Sequence, residues 1–225
     1  MTWRTRNLKT LSAVSFAQDA ASELLYPILP IFITVTLGAP VVVVGMIEGL
    51  AEGAAAITKL ISGKISDGRA RKPIIFLGYL LAAIGKLLVA LAFVWPIALL
   101  GRVVDRLGKG IRGAPRDALL VMDIPVEDRG KAIGFHRAAD TAGAVVGPLI
   151  GLLIIHFADG SLRTVLWIAL IPAALSVFLI KFVKETQPPK RVDASAGHGV
   201  LPAGVREEYR RAGYLHPLVS PLGRV

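Results

Sequence analysis

Residues 74–95 read IIFLGYLLAAIGKLLVALAFVW. Within that run of 22 residues the only charge is Lys86. At about 1.5 Å rise per residue the run measures about 33 Å as a helix, the thickness of a bilayer's hydrocarbon core. It is too long for a strand and apolar on every side, so it predicts a membrane-spanning helix. Five further apolar segments flank it, at 11–37, 42–62, 97–121, 132–157 and 164–183. Composition agrees. Hydrophobic residues make up 54% of the chain and the mean hydropathy is +0.62. A soluble domain has roughly 45–50% apolar residues even with Gly counted.

The connections alternate in character. Gly38-Ala39-Pro40 and Trp95-Pro96 carry no charge. Ser66 to Pro73 is basic, Asp123 to Lys131 is charged, and Lys181, Lys184, Lys190 and Arg191 follow the last span. That alternation predicts an inner-membrane protein with both termini cytoplasmic. The net charge of +10 belongs to these connections. No basic segment with interleaved aromatics suggests nucleic acid. Arg4, Arg6 and Lys9 precede a stretch too long for a cleavable signal, and it carries Asp19 and Glu23. There is no cysteine, which removes disulfides, thiolate metal sites and Cys nucleophiles. Residues 1–185 form the expected six-helix domain. Residues 186–225, rich in Pro, Gly and Arg after Gln187-Pro188-Pro189, are expected to be a disordered cytoplasmic tail.

Charges inside the spans carry the functional signal. Each costs about 2.5–3.5 kcal/mol at the bilayer centre, so they must find partners or water. At about 100° per residue, Arg102, Asp105, Arg106, Lys109, Arg112, Arg116 and Asp117 fall on one stripe of the fourth span. Asp19 and Glu23 share a face of span one, Glu48, Glu52 and Lys59 one of span two, and Arg137, Asp140 and Thr141 one of span five, with His136 beside it. Spans one, two, four and five are expected to bound a wet cavity, and spans three and six to pack. The expected partners of Arg102 and Arg106 are the acids of span one. Glycines at 45, 49, 53 and 63 in span two, and at 143, 147 and 151 in span five, have the small-xxx-small spacing of close helix contacts.

Three segments resemble signatures of the major facilitator superfamily. In the loop after span two, Gly63, Asp67, Arg71 and Lys72 match a Gly-x-x-x-Asp pattern with trailing basic residues, while Gly68 and Ala70 depart from it. In span four, Arg102 matches an early Arg, with Gly108 and Pro115 at similar offsets and Arg106 where a Gly is usual. In span five, Gly134, Gly143, Gly147, Pro148 and Gly151 fit a spacing found in proton-exchanging exporters, with Leu152 replacing the last Gly. The resemblance covers about residues 8–185. It implies an all-α half of the facilitator fold, six transmembrane helices in two three-helix repeats. It implies secondary transport of a small solute by proton-coupled efflux, with no enzymatic chemistry, cofactor or metal. Arg102, Arg106 and Lys109 are the candidates for substrate binding. Asp19, Glu23 and Asp140 are the candidates for proton coupling, and Asp67, Arg71 and Lys72 for gating. Gly134, Gly143, Gly147, Pro148 and Gly151 would pack helices. Because the family fold has two such halves, the expected partners are a second six-helix half or a homodimer mate. A truncated or split transporter, inactive alone, is the main alternative.

A membrane phosphotransferase reading of Asp67-Gly68-Arg69-Ala70-Arg71 fails on spacing. Ala82 and Lys86 stand where metal-binding carboxylates belong. Gly108, Gly110 and Gly113 have dinucleotide-loop spacing, but no strand precedes them. The histidines have no metal-ligand spacing.

Overall fold

Thr5 sets the start of the first helix. Its hydroxyl accepts the Leu8 N–H at 3.2 Å, capping α1, Arg6–Leu25. The computed structural model describes residues 3–66, 70–157 and 161–185. The segment read as a tail and the candidate Asp67 lie outside the described residues. The described chain is helical throughout, with no strand.

Span one is not continuous. Pro27 and Pro30 cannot donate to the carbonyls four residues back, so α1 stops at Leu25. The chain resumes as α2, Leu29–Ile31, and a π turn over Phe32–Thr36, after a bend of 40°. Gly38, at φ 66°, supplies the left-handed turn that leads into α3, Val41–Ser66. There follow α4, Arg71–Ala90, α5, Trp95–Val121, and α6, Arg129–Phe157. The last span divides into α7, Leu162–Ile168, and α8, Leu170–Leu179. Pro172 lacks the N–H that would bond Ile168 across that break.

By length and composition four of these segments qualify as membrane spans, and five if the bent first pair counts as one. The segment that falls short of the expected six is α5, 27 residues long but too charged. Its charges are met inside the protein. It packs against α3 on one side and α4 on the other, while α1 packs against α6 and α8. This is an all-α membrane architecture.

The α4–α5 contact is made by glycines. A Cβ on Gly85 would stand 2.5 Å from the Gly101 carbonyl, and one on Gly78 2.7 Å from that of Gly108. Gly78 and Gly85, like Gly101 and Gly108, are seven residues apart, two turns on one face. Gly110 does the same against α3, where a Cβ would lie 2.6 Å from the Ala55 carbonyl. On α6, Gly143 and Gly147 press on the α1 backbone at Phe16, Ala20 and Leu24, and Gly151 meets Leu24 at ordinary distance.

Gly134 does not join them: a Cβ added there would meet nothing within 4 Å beyond its own turn of helix. It precedes Gly143 by nine residues, or 900° of rotation, and so lies on the opposite face. Gly45, Gly49 and Gly53 on α3 likewise meet nothing within 4 Å. The close approach expected of them is not made within the described chain.

Two apolar clusters hold the helices. One gathers Leu24, Phe32, Ile33, Ile47, Val89, Ala98 and Leu166. The other gathers Leu8, Leu11, Ile75, Tyr79, Leu119 and Ile180. Asp19 and Glu23 of α1, Lys86 of α4 and the charges of α5 fall between the two. At the first cluster's end, Arg163 donates to the Ala90 and Ala92 carbonyls at 2.9 and 2.8 Å, closing the end of α4.

Candidate functional site

The glycine seam between α4 and α5 decides what happens to the charges on α5. It draws the two backbones together and brings Lys86 Nζ to 2.8 Å from Asp105 Oδ1. Asp105 also accepts from Arg102 Nη1 at 3.4 Å, and Arg102 grips Glu48 of α3 with Nε at 2.9 Å and Nη2 at 2.8 Å. Two acids and two bases thus form a neutral chain across three helices. Lys86, Arg102 and Asp105 are all buried. One turn on, Arg106 Nε lies 3.0 Å from Glu52 Oε1.

This geometry corrects two expectations. Arg102 and Arg106 pair with acids of α3, not of α1, because α5 packs on α3 over much of its length. Lys86, read as an isolated charge on a packing helix, is a member of the buried chain.

A cavity of about 530 Å³ opens beyond this chain, walled by α1, α3, α5 and α6. Asp19 and Glu23 come from α1, and Glu52 and Lys59 from α3. Lys109, Arg112, Arg116 and Asp117 come from α5, and Arg137, Asp140 and Thr141 from α6. Four helices with polar faces therefore converge, while α4, α7 and α8 contribute no lining residue. Of the residues singled out for solute contact, Lys109 lines the cavity. Arg102 and Arg106 do not: both are buried and turned toward Glu48 and Glu52 of α3. The three acids singled out for proton coupling, Asp19, Glu23 and Asp140, all line it.

At one end the lining passes into a buried polar network. His136, 2% exposed, has Nδ1 3.3 Å from the Ser12 hydroxyl and Nε2 3.5 Å from that of Ser15. Its Nε2 lies 3.7 Å from Asp140 Oδ1. Ser15 also accepts from Arg116 Nη1 at 2.8 Å and lies 3.3 Å from the Tyr79 hydroxyl. Arg116 pairs with Asp117 at 3.0 Å, and Arg137 bridges Asp117 and Asp140 at 3.6 and 3.4 Å. Sequence reading missed Ser12, Ser15 and Tyr79. Ser12 and Ser15 stand seven and four residues before Asp19, on its face of α1, and that spacing was the available signal, whereas Tyr79 joins the buried network only through contact between distant helices.

At the start of α4, Ala70 offers no capping side chain. The Glu185 carboxylate takes its place, accepting the Arg71 and Lys72 N–H groups at 3.1 and 2.8 Å. The side chains of these two gating candidates reach Met122 Sδ and the Lys181 carbonyl. Asn7 ties in the same end, exchanging hydrogen bonds with the Lys184 backbone at 2.9 and 3.1 Å.

Comparison with known proteins fits this architecture. The sequence profile of the Major Facilitator Superfamily matches residues 11–221, and the chain belongs to that superfamily. The match runs past residue 185, where the resemblance was expected to stop. The chain is 38% identical over 186 residues to an uncharacterised MFS-type transporter of Methanocaldococcus jannaschii, covering 82% of this chain and 46% of that one. It is 30% identical over 203 residues to the staphyloferrin B transporter of Staphylococcus aureus, covering 88% and 48% respectively. Among solved structures, the human organic anion transporter MFSD10 shares the fold, with a TM-score of 0.65 at 20% identity. That likeness covers 84% of this chain and 49% of MFSD10. The chain spans about half the length of the curated relatives it matches. It is an integral membrane protein of a transporter family.

Proposed function

We propose that this chain forms one wall of a secondary transporter that exports a small solute in exchange for protons. The observation that carries the reading is the cavity itself, with acids and bases from four helices turned to a common space. Two of its lining charges are far from buried, Arg137 at 59% and Glu52 at 57% side-chain exposure. Neither is tolerable against lipid. Their open side therefore calls for water or a facing protein wall, and a second six-helix body supplies both. In this reading Lys109 meets the solute. Arg102 and Arg106 support it indirectly, by fixing α5 against α3.

Asp19, Glu23 and Asp140 exchange protons with the cavity's water. Glu185 and the α4 N-terminus form part of the cytoplasmic gate with Arg71, Lys72 and Asp67. Both ends of the described chain then lie on the cytoplasmic face of the inner membrane, which the basic flanks at 66–73 and 181–191 support. The relative named for staphyloferrin B adds support for a small-solute role.

The test is reconstitution into liposomes holding a pH-sensitive dye, alone and with a six-helix second half fused after residue 225. Solutes from a panel are added outside. The expected result is solute-evoked proton movement, abolished by Asp19→Asn or Asp140→Asn. Solute exchange that proceeds at full rate with no proton movement, in wild type and in both variants, would refute proton coupling.

A further inference from the structure

Among the buried cations of the described residues, one makes no ion pair. Arg102 has Glu48 and Asp105, Arg106 has Glu52, and Lys86 has Asp105. Arg112 is 4% exposed and lies within 4.0 Å of no carboxylate among the described residues. Its guanidinium stacks on the Tyr79 ring, 4.5 Å from the centroid. Its Nε and Nη1 are buried and have no hydrogen-bond partner. A guanidinium is never deprotonated, so this group holds a full charge in a low-dielectric place with donors unspent.

Arg112 also lines the cavity. Lys109, one turn away on the same face of α5, lines it too and makes no ion pair with a described residue. On one side of the cavity, therefore, a buried guanidinium over a tyrosine ring and a lysine ammonium stand together without an ion pair of their own, the Asp19 and Glu52 carboxylates of the same lining lying beyond ion-pair distance of either. Arg116, the next cation along, already serves Asp117 and Ser15.

We infer that Arg112 and Lys109 form an oxyanion site in the cavity, which takes a carboxylate or phosphate group of the solute. This rests on the reading of the cavity as a solute site and adds the chemical class. Tyr79 holds the guanidinium plane in place, so little side-chain entropy is lost when the anion arrives. Lys109 adds a second, adjustable contact. The anion's arrival in turn gives the unpartnered buried donors an acceptor, so binding and stability are linked.

The experiment is equilibrium binding to the purified chain in detergent, by calorimetry and by thermal melting followed through tryptophan fluorescence. The probes are citrate, succinate, inorganic phosphate and, as a cationic control, tetraphenylphosphonium. Saturable binding and a raised melting temperature are expected with citrate or phosphate. Citrate alone would assign the site to carboxylates, and phosphate alone to phosphate groups.

Arg112→Gln should weaken the effective anion about 10- to 100-fold, the range for losing a charge-assisted contact. Lys109→Gln should weaken it less, Arg112→Lys should keep part of the affinity, and Lys9→Gln should change nothing. Without ligand, Arg112→Gln should melt at or above the wild-type temperature, because an uncompensated charge is removed. A lower melting temperature with unchanged anion affinity would make Arg112 a structural residue and overturn the proposal. Failure of all three anions would overturn it equally. Binding of tetraphenylphosphonium alone would overturn the anionic class and leave the cavity's role as a solute site standing.

Discussion

The neutral chain Glu48–Arg102–Asp105–Lys86 makes a quantitative prediction. Asp105 accepts from Lys86 at 2.8 Å and from Arg102 at 3.4 Å, and both acid and ammonium are almost fully buried. Changing Asp105 to Leu leaves Lys86 inside the helix bundle with no carboxylate. Removing one member of a buried pair costs about 3–5 kcal/mol. For a domain of this size that corresponds to a fall in melting temperature of roughly 6–20 °C, on the soluble-protein scale of about 2–4 °C per kcal/mol. Lys86→Met alone should cost a similar amount, since Asp105 then keeps only the longer contact to Arg102.

The double variant behaves differently. It removes one positive and one negative charge, and Arg102 keeps its two-pronged grip on Glu48. The remainder is neutral and the replacements are apolar, so the double variant should melt within a few degrees of wild type. The assay is thermal unfolding in detergent, with helicity followed by circular dichroism, over the full cycle of four proteins. The coupling energy should be about 3 kcal/mol or more. A double variant as unstable as the sum of the singles would show that the pair does not act as a unit. Single variants within 1 kcal/mol of wild type would show that the site is wet.

Three further outcomes are expected. Gly147→Val should destabilise by about 1–3 kcal/mol, since a Cβ there would stand 2.5 Å from the Ala20 carbonyl on α1, whereas Gly134→Val, in open space, should melt like wild type. Glu185→Gln should speed amide hydrogen exchange at Arg71 and Lys72, whose N–H groups the carboxylate accepts; unchanged exchange would mean that another group caps α4. In this cysteine-free chain, Ala70→Cys should react with an impermeant maleimide only from the cytoplasmic side and Ser161→Cys only from outside. The reverse pattern would overturn the orientation.

Composition and periodicity were enough for the solvent and the class. The run at 74–95 has one charge in 22 residues, and no soluble fold of this size hides several such runs. The polar faces of spans one, two, four and five were also legible, because helical rotation sorts residues onto faces whatever the partner is. Asp19, Glu23, Lys109 and Asp140 were found that way, and all line the cavity. Rotation also held the clue to Gly134, nine residues and half a turn out of phase with Gly143.

Which face meets which helix was not legible. Pairing is a property of two surfaces, and the sequence lists only one at a time. The four glycines that seat α5 on α4 lie two on each helix, and only their packing brings Lys86 to Asp105. The seating of α5 on α3 gave Arg102 and Arg106 to Glu48 and Glu52, although the acids of α1 have equal charge and similar spacing. By the same contacts Arg112 came to rest on Tyr79 without a carboxylate. Rotation along one chain fixes the direction in which a charge points, and only the packed neighbour decides whether that charge is satisfied.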